Sequence, residues 1–380
     1  MSLASVTAES FESAPGRRSW MVVARPDHGG VVRLAGPSDY LAGLTAANRS
    51  ENSVAAAASD LALWHRWCVD TGREPIRVTT RDVNGWMAAW FSTPRNGDLA
   101  GPIRLLPNDP RRRADSTVAR ALASVKAYYR WAAEAGFVSR RVASQMAACS
   151  APRATKRLDI GRLEADEVAE LLALAMSPRE RFLVELLYGC GLRIGETLGL
   201  WFEDLCFETD NRSLGCGVRG PHLHVEPRDG RHRARAKGGA RLVPVAGRTV
   251  ALFREWMVQR FEALGDDDPA AAVFVALSGP TKGGPWSYQA MQKWWDREIR
   301  SVPRLARATR HLLRHSFASE LLDAGVSNHS IQAMLGHAVL ESTSRYSHAS
   351  MATMRRAVER RDEWLDGRIS ELTPGSSSAS

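Results

Sequence analysis

The chain has 380 residues, 44% of them hydrophobic and 24% charged, a composition typical of globular proteins long enough for two domains. Its 51 Lys and Arg outnumber its 42 Asp and Glu, and this excess favours a polyanionic partner such as nucleic acid. Five scattered cysteines without C-x-x-C spacing argue against a zinc ribbon or a disulfide framework. The chain has no apolar run that could span a bilayer and no signal-peptide core, so we expect a cytoplasmic protein without a membrane partner.

The first part of the chain predicts an arm followed by a helical domain. Residues 1–48 are rich in Gly, Ala, Ser and Pro with little periodicity, which predicts a flexible N-terminal arm. Apolar residues then recur at helical spacing over 53–70, 83–91 and 116–135, and Ser116 is expected to cap the third of these helices. Because no strand pattern interrupts them, we predict one helical domain over 49–148.

Positive charge is concentrated between residues 101 and 160. This stretch holds twelve Lys and Arg but only four Asp and Glu, so it carries most of the net charge of the chain. A basic stretch is often only a solvated surface. Next to a site for phosphate chemistry, it is better explained as a surface that binds DNA.

The second part of the chain predicts a mixed domain. Residues 149–162 lack apolar periodicity and predict an interdomain linker. A second domain is expected over 163–365, followed by a disordered tail over 366–380. Within that domain helical patterns alternate with two short strand patterns, at 222–225 and 241–245. A last helix at 353–365 has two equally open roles, since it could dock on a neighbouring protomer or pack on its own domain.

Two arginines in the second domain are candidates for holding a reacting phosphate. Attack on a phosphodiester adds negative charge to the non-bridging oxygens, and fixed cations or metal ions can stabilise that charge. The sequence contains no D-x-D motif or carboxylate cluster suited to two magnesium ions. Arg193 and Arg314 offer planar guanidinium groups that match phosphate geometry. Glu196, three residues after Arg193, is expected to orient it.

The same region offers a nucleophile and groups that transfer protons. Tyr346 is the candidate nucleophile, and its phenol needs nearby cations and a base to react at neutral pH. His311 is the candidate base, and His337 is expected to donate to a non-bridging oxygen. Lys237, beside a Gly-Gly turn, could protonate the leaving 5′ oxygen. We expect no cofactor.

A metal site is a weaker alternative for three histidines of this region. His222 and His224 would share one face of a strand, and His232 follows nearby. No cysteine or acidic partner is evident in the sequence to complete the site, so we do not expect a metal there.

The ordered set of these motifs resembles the tyrosine recombinases of the phage integrase family over residues 49–360. The resemblance rests on Gly191-Leu192-Arg193-Ile194-Gly195-Glu196 with Trp201 and Asp204, Lys237 followed by Arg241-Leu242-Val243-Pro244-Val245, His311-x-Leu313-Arg314-His315, Leu335-Gly336-His337, and Tyr346. Segment 206–232 is longer and more polar than a minimal family hairpin requires, and the arm 1–48 has no clear counterpart.

The resemblance implies a mainly α fold with a small β-sheet, in which two domains form a C-shaped clamp around DNA. The first would be a SAM-like core-binding domain and the second the catalytic domain. It assigns catalytic roles to six residues: Arg193, Lys237, His311, Arg314, His337 and Tyr346. It also implies a 3′-phosphotyrosyl intermediate, a Holliday junction and a homo-tetramer on paired, specific sites in double-stranded DNA. Accessory DNA-bending or directionality factors would be further partners.

Two other functions stay open from the sequence. A type IB topoisomerase uses similar catalytic residues to relax DNA, and a catalytically silent protein could keep the fold only to bind DNA. Among recombinases, the stretch from Val225 to Lys237 resembles transposon-type members, which favours an integrase of a mobile element over a housekeeping resolvase.

Overall fold

Two units make up the chain, Met1–Arg157 and Leu158–Ser380, and the division between them lies within the predicted linker. The computed structural model describes residues 3–14, 17–27, 29–93, 114–151, 161–174, 176–227, 239–266, 268, 270–336, 351 and 353–363. Within these residues no helix combines the length and apolar character needed to cross a membrane.

An antiparallel sheet begins the first unit, where the sequence predicted a flexible arm. Strands β1 (Leu3–Ala14) and β2 (Arg17–Pro26) pair along most of their length, and β3 (Val32–Arg33) adds to β2. Val6 and Val22 are buried in the core of this unit. Strand β1 is rich in Ala, Ser and Thr, and the apolar residues of β2 form one continuous run, so neither strand shows a clear alternation of apolar and polar residues.

Helices form the rest of the first unit. They are α1 (Ala35–Ala46), α2 (Glu51–Asp70), α3 (Thr80–Ser92), α4 (Asp115–Glu134) and α5 (Arg140–Ala148). Trp64 of α2 is fully buried and donates from Nε1 to the Tyr129 hydroxyl of α4 at 3.0 Å. The prediction that Ser116 caps this helix is wrong, because α4 begins at Asp115 and its N-cap is Ala114.

The second unit is mainly helical around a small sheet. Its helices are α6 (Ala165–Ala173), α7 (Pro178–Tyr188), α8 (Ile194–Leu198), α9 (Gly247–Leu264), α10 (Tyr288–Trp294), α11 (Arg310–Asp323), α12 (Asn328–Leu335) and α13 (353–363). Its antiparallel strands, in spatial order, are β4 (Leu205–Cys206), β5 (His222–Val225) and β6 (Arg241–Pro244). The predicted fold class, mainly α with a small sheet, is confirmed.

Helix α13 packs on its own unit. Met354 and Val358 are buried in a cluster that includes Phe317 of α11. Arg361 is also buried, and its Nε donates to Glu320 Oε2 at 2.6 Å. Of the two roles left open by the sequence, the described residues of this helix therefore take the second, packing within the protomer.

Candidate active site

A tight turn after α7 positions Arg193. Gly191 has a left-handed backbone (φ 64°), and a Cβ added there would lie 2.3 Å from the ring of Phe317. Only glycine fits both constraints. Arg193 follows as the N-terminal cap of α8, and its backbone N–H donates to Glu196 Oε2 at 2.9 Å. The glycine turn thus places Arg193 at the start of α8.

Arg314 reaches the same place from α11. Its side chain is only 4% exposed. Nη1 donates to the Gly191 carbonyl at 2.6 Å, and Nη2 donates to the Leu335 carbonyl. Burial and the charge of Arg193 lower the pKa of Arg314 to about 9, while the charge of Glu196 acts in the opposite direction. Arg314 therefore remains a cation at neutral pH in a crowded, positively charged site.

The end of α12 is the meeting point of these arginines. Arg193 donates from Nη1 to the Leu335 carbonyl at 3.2 Å and from Nη2 to the Gly336 carbonyl at 3.3 Å. Gly336 ends the helix in a left-handed conformation (φ 63°). The last carbonyls of a helix have no partner within the helix and carry partial negative charge. Guanidinium donors satisfy them here, immediately before His337 in the chain.

Glu196 is the buried counter-ion of this cluster. Its carboxylate accepts from Arg193 Nη1 at 2.8 Å and from Arg241 Nη2 at 2.6 Å, and it lies 3.7 Å from Arg314 Nη1. Burial by itself raises the pKa of Glu196, but the hydrogen bond and charge of Arg241 and the hydrogen bonds from Arg193 outweigh it and lower the pKa. The expected role of Glu196 in orienting Arg193 matches these contacts.

Arg241 belongs to the cluster but was not predicted as a site residue. It lies on β6, is buried, and donates from Nε to the Met334 carbonyl at 2.6 Å. In the sequence it follows a run of basic residues, so its charge resembles that of a surface patch. A better signal is its place at the start of an apolar strand, since a charge there must find a partner.

His311 stands at the start of α11, at the edge of the cluster. Partial burial and the charges of Arg314 and Arg193 lower its pKa, which keeps the imidazole neutral at pH 7. Its ring lies edge-on to that of His315, with centroids 4.4 Å apart. A neutral imidazole beside two fixed cations is suited to accept a proton from a nearby group.

Three of the six predicted catalytic residues lie outside the described residues, namely Lys237, His337 and Tyr346. The other three, Arg193, His311 and Arg314, are brought together. Their arrangement offers guanidinium donors for a phosphate and a neutral base. Such a site can bind a phosphodiester and stabilise added charge on its oxygens.

A separate group of side chains in this unit has the composition of a metal site. Cys206, Cys216, His222 and His224 offer ligand atoms that all lie within 4.8 Å of one another. The sequence argument against a metal here rested on the lack of a cysteine partner, and that premise is wrong. Cys206 and Cys216 are 10 residues apart in the chain, a spacing that matches no common metal motif. The pairing of β4 with β5 brings Cys206 opposite His222.

Comparisons with known proteins agree with this arrangement. The profile of the Phage integrase family matches residues 161–353, just over half of the chain. Tyrosine recombinase XerD of Mycobacterium leprae is 28% identical over 334 residues, which cover 85% of this chain and 94% of the relative. Tyrosine recombinase XerC of Chromobacterium violaceum is 30% identical over 237 residues, covering 61% and 69%.

A solved structure shares the fold. A lambda integrase (75–356) dimer bound to a COC′ core site aligns with a TM-score of 0.51 and 15% identity, covering 84% of this chain and 94% of that one. The relatives support site-specific recombination rather than DNA relaxation or silent DNA binding. With the family profile matched across most of the second unit and the two candidate arginines meeting inside it, the chain belongs to the phage integrase family and is a tyrosine recombinase, an enzyme that cleaves and rejoins DNA.

Proposed function

We propose that Arg193 and Arg314 hold the scissile phosphate while Tyr346 attacks it. The observation that carries this proposal is the convergence of both guanidinium groups on the carbonyl of Leu335, with Arg193 also bonding that of Gly336. These carbonyls directly precede His337, and Tyr346 follows nine residues later. A phosphate bound by the two arginines would therefore lie near the start of the segment that carries the nucleophile.

We propose that proton transfer is divided among three further residues. His311 takes the phenolic proton of Tyr346, which its lowered pKa favours because the imidazole is neutral at pH 7. His337 donates a hydrogen bond to a non-bridging oxygen. Lys237 protonates the 5′ oxygen as that oxygen leaves. The tyrosine O–P bond forms as the P–O5′ bond breaks, which gives a 3′-phosphotyrosyl link and a free 5′ hydroxyl.

Strand exchange then reverses the same chemistry on a second duplex. The 5′ hydroxyl of the partner strand attacks the phosphotyrosine and releases Tyr346, so the phosphodiester is restored without an external energy source. Two such rounds pass through a Holliday junction. We propose that four protomers assemble on two sites, with accessory DNA-bending or directionality factors as further partners.

We propose that both units contact the DNA duplex. In the first unit the exposed side chains of Arg130, Arg140 and Arg141 belong to the basic stretch predicted from the sequence. Charges of this kind bind phosphates of any sequence and fix the position of the protein on DNA. The recombination site would lie on DNA in the cytoplasm, and the resemblance of segment 225–237 to transposon-type members favours the ends of a mobile element.

The test is a trapped cleavage reaction. End-labelled DNA that flanks the gene, with scattered nicks, is incubated with the full chain and no added divalent ion, because nicks let the 5′ fragment leave and trap the covalent complex. We expect a protein–DNA band on a denaturing gel from the wild type and none from Tyr346→Phe.

Tyr288→Phe provides the matched control, because Tyr288 is an exposed tyrosine of the same unit. It should form the same band as the wild type. A covalent complex that persists in Tyr346→Phe would assign the nucleophile to another residue. Binding by every variant without any covalent band would argue against cleavage at these sites.

A further inference from the structure

A cluster of two cysteines and two histidines lies on the sheet of the second unit. Cys206 ends β4 and pairs directly with His222 on β5, so their side chains share one face. His224, two residues along β5, lies on that face as well. Cys216 comes from the loop between the two strands. None of the four shares a described hydrogen-bond partner with Arg193, Arg241 or Arg314.

The distances among three of the four ligand atoms match a zinc coordination sphere, and Cys206 Sγ lies within 4.8 Å of each of them. The Nε2 atoms of His222 and His224 are 3.2 Å apart, and Cys216 Sγ lies 3.3 Å and 3.5 Å from them. Zinc bonds of about 2.0 Å to nitrogen and about 2.3 Å to sulfur, at tetrahedral angles, place two nitrogens about 3.3 Å apart and a sulfur about 3.5 Å from a nitrogen. The three atoms are thus already separated by the distances expected between the corners of a zinc tetrahedron.

Hydrogen bonding alone does not account for this triangle. His222 Nδ1 lies 2.7 Å from the Gly220 carbonyl, so it carries the proton and Nε2 of the neutral ring is an acceptor. Only the Cys216 thiol and His224 Nε2 then have hydrogens to offer for three short contacts. One of the three contacts therefore has no hydrogen of its own, whereas a cation among the three atoms would bind a lone pair of each.

The surroundings of the ligands are also those of a metal site. The Gly220 carbonyl fixes the tautomer and orientation of His222, as outer partners of metal-bound histidines do. The backbone N–H of Val218 points at Cys216 Sγ at 3.4 Å, a contact that stabilises a thiolate. Four protein ligands leave no open position, which is the arrangement of a structural site.

We propose that Cys206, Cys216, His222 and His224 bind one Zn²⁺ ion as a closed, structural site. Soft thiolates with imidazoles at tetrahedral spacing favour zinc over magnesium or calcium. The ion would fasten the loop 207–221 to the sheet, in the segment that is longer than a minimal family hairpin requires.

The loop 207–221 lies between two parts of the second unit that the ion would hold together. Strand β5 leads into segment 226–240, which carries Lys237. On its other side the loop contacts α13, where Arg355 Nη2 donates to the Arg219 carbonyl at 2.7 Å and its guanidinium packs against Gly220. The zinc site would therefore hold the base of the lysine-bearing hairpin and the helix that follows Tyr346 in one arrangement.

The test measures metal in the purified, tag-free full chain. We expect about one zinc per chain by elemental mass spectrometry, and loss of most of it in Cys216→Ser and in His224→Asn. Cobalt substitution of the wild type should give the intense visible bands of tetrahedral Co²⁺ with thiolate ligands, so that the proposal is testable even if a variant fails to fold. Removal of the metal should speed trypsin cleavage after Arg212 and Arg219, within the loop.

Cys149→Ser and His329→Asn are the matched controls, since both residues lie outside the cluster, and they should keep the metal. Wild-type protein that holds no zinc and gives no thiolate–cobalt bands would overturn the proposal. So would a disulfide between Cys206 and Cys216 in the intact mass of freshly purified protein. None of these readouts depends on recombination.

Discussion

Glu196 contacts three arginines of the candidate active site, although the sequence suggested only a role in orienting Arg193. One buried carboxylate accepts from Arg193 and Arg241 and lies beside Arg314. Three positive charges in a confined space repel each other, so the single negative charge determines whether they can stay together. It also fixes the direction in which Arg193 points.

Replacing Glu196 with Gln tests this balance. Glu196→Gln keeps the shape of the side chain but removes its charge, and breaking a buried ion pair in this way costs about 3–5 kcal/mol. We expect the free energy of unfolding of the second unit to fall by that order, measured by urea denaturation followed by tryptophan fluorescence. Glu262→Gln, an exposed change on α9, should stay within about 0.5 kcal/mol of the wild type. Equal stability of both variants would contradict this role of Glu196.

Single residues differ in how far sequence alone can place them. Arg193 and Arg314 were predicted together because each sits in a recognisable motif, and the structure brings both to the carbonyl of Leu335. Arg241 was missed, because a charge in a basic run gives no sign that it will be buried. Cys206 and Cys216 were missed as ligands, because their spacing matches no metal motif until β4 and β5 pair.

At the scale of elements, helix α2 shows how burial makes stability depend on pH. Burial lowers the pKa of His65 to about 4, although the hydrogen bond to the Leu61 carbonyl works in the opposite direction. The ring is held neutral inside the first unit. In the unfolded chain the same imidazole titrates near 6.5, so the unfolded state binds more protons between the two values.

We therefore expect His65 to destabilise the chain as the pH falls from about 6.5 to about 4. The loss should approach 3 kcal/mol, since each pKa unit is worth about 1.4 kcal/mol. Urea denaturation at a series of pH values checks this, by comparing the slope for the wild type with that for His65→Gln. The variant should show a shallower decline, because its side chain does not titrate. Parallel slopes would show that His65 is not the responsible group.

Elements were predictable from sequence where periodicity is strong. Strand β5 occupies the predicted residues, and α2 begins within two residues of the predicted start. The sheet of β1 and β2 was missed because small and polar residues dominate β1 and the apolar run of β2 does not alternate. The two-residue strand β4 is too short to leave any pattern, yet it sets the register that brings Cys206 opposite His222.

At the scale of the whole molecule, we expect the excess of positive charge to bind DNA through particular surfaces. Arg140 and Arg141 are exposed on α5, within the most basic stretch of the chain. Some arginines elsewhere in the first unit are paired with acidic residues, as Arg33 is with Asp39 and Arg77 with Glu74. Uncompensated charges release counterions from DNA on binding, whereas ion-paired ones contribute less.

The double variant Arg140→Gln/Arg141→Gln should weaken binding to DNA of any sequence. If each arginine contacts one phosphate, the slope of log K against log salt concentration should become shallower by about 2. Fluorescence anisotropy with a labelled duplex at several salt concentrations measures this. Arg33→Gln/Arg77→Gln removes the same formal charge and should change the slope little. An equal change in both variants would mean that net charge, and not this surface, governs binding.

Because the arginines bond backbone carbonyls at the end of α12, the adjacent residues Leu335 and Gly336 should tolerate substitution differently. Arg193 and Arg314 bond the carbonyl of Leu335, not its side chain, so a different apolar residue of similar size there would leave the guanidinium positions unchanged. Gly336 has no such freedom, because a Cβ would lie 2.9 Å from Arg241 and the backbone is left-handed. Directed evolution of this enzyme can therefore vary residue 335 and must preserve residue 336, since the arrangement of the cations is encoded in the path of the main chain.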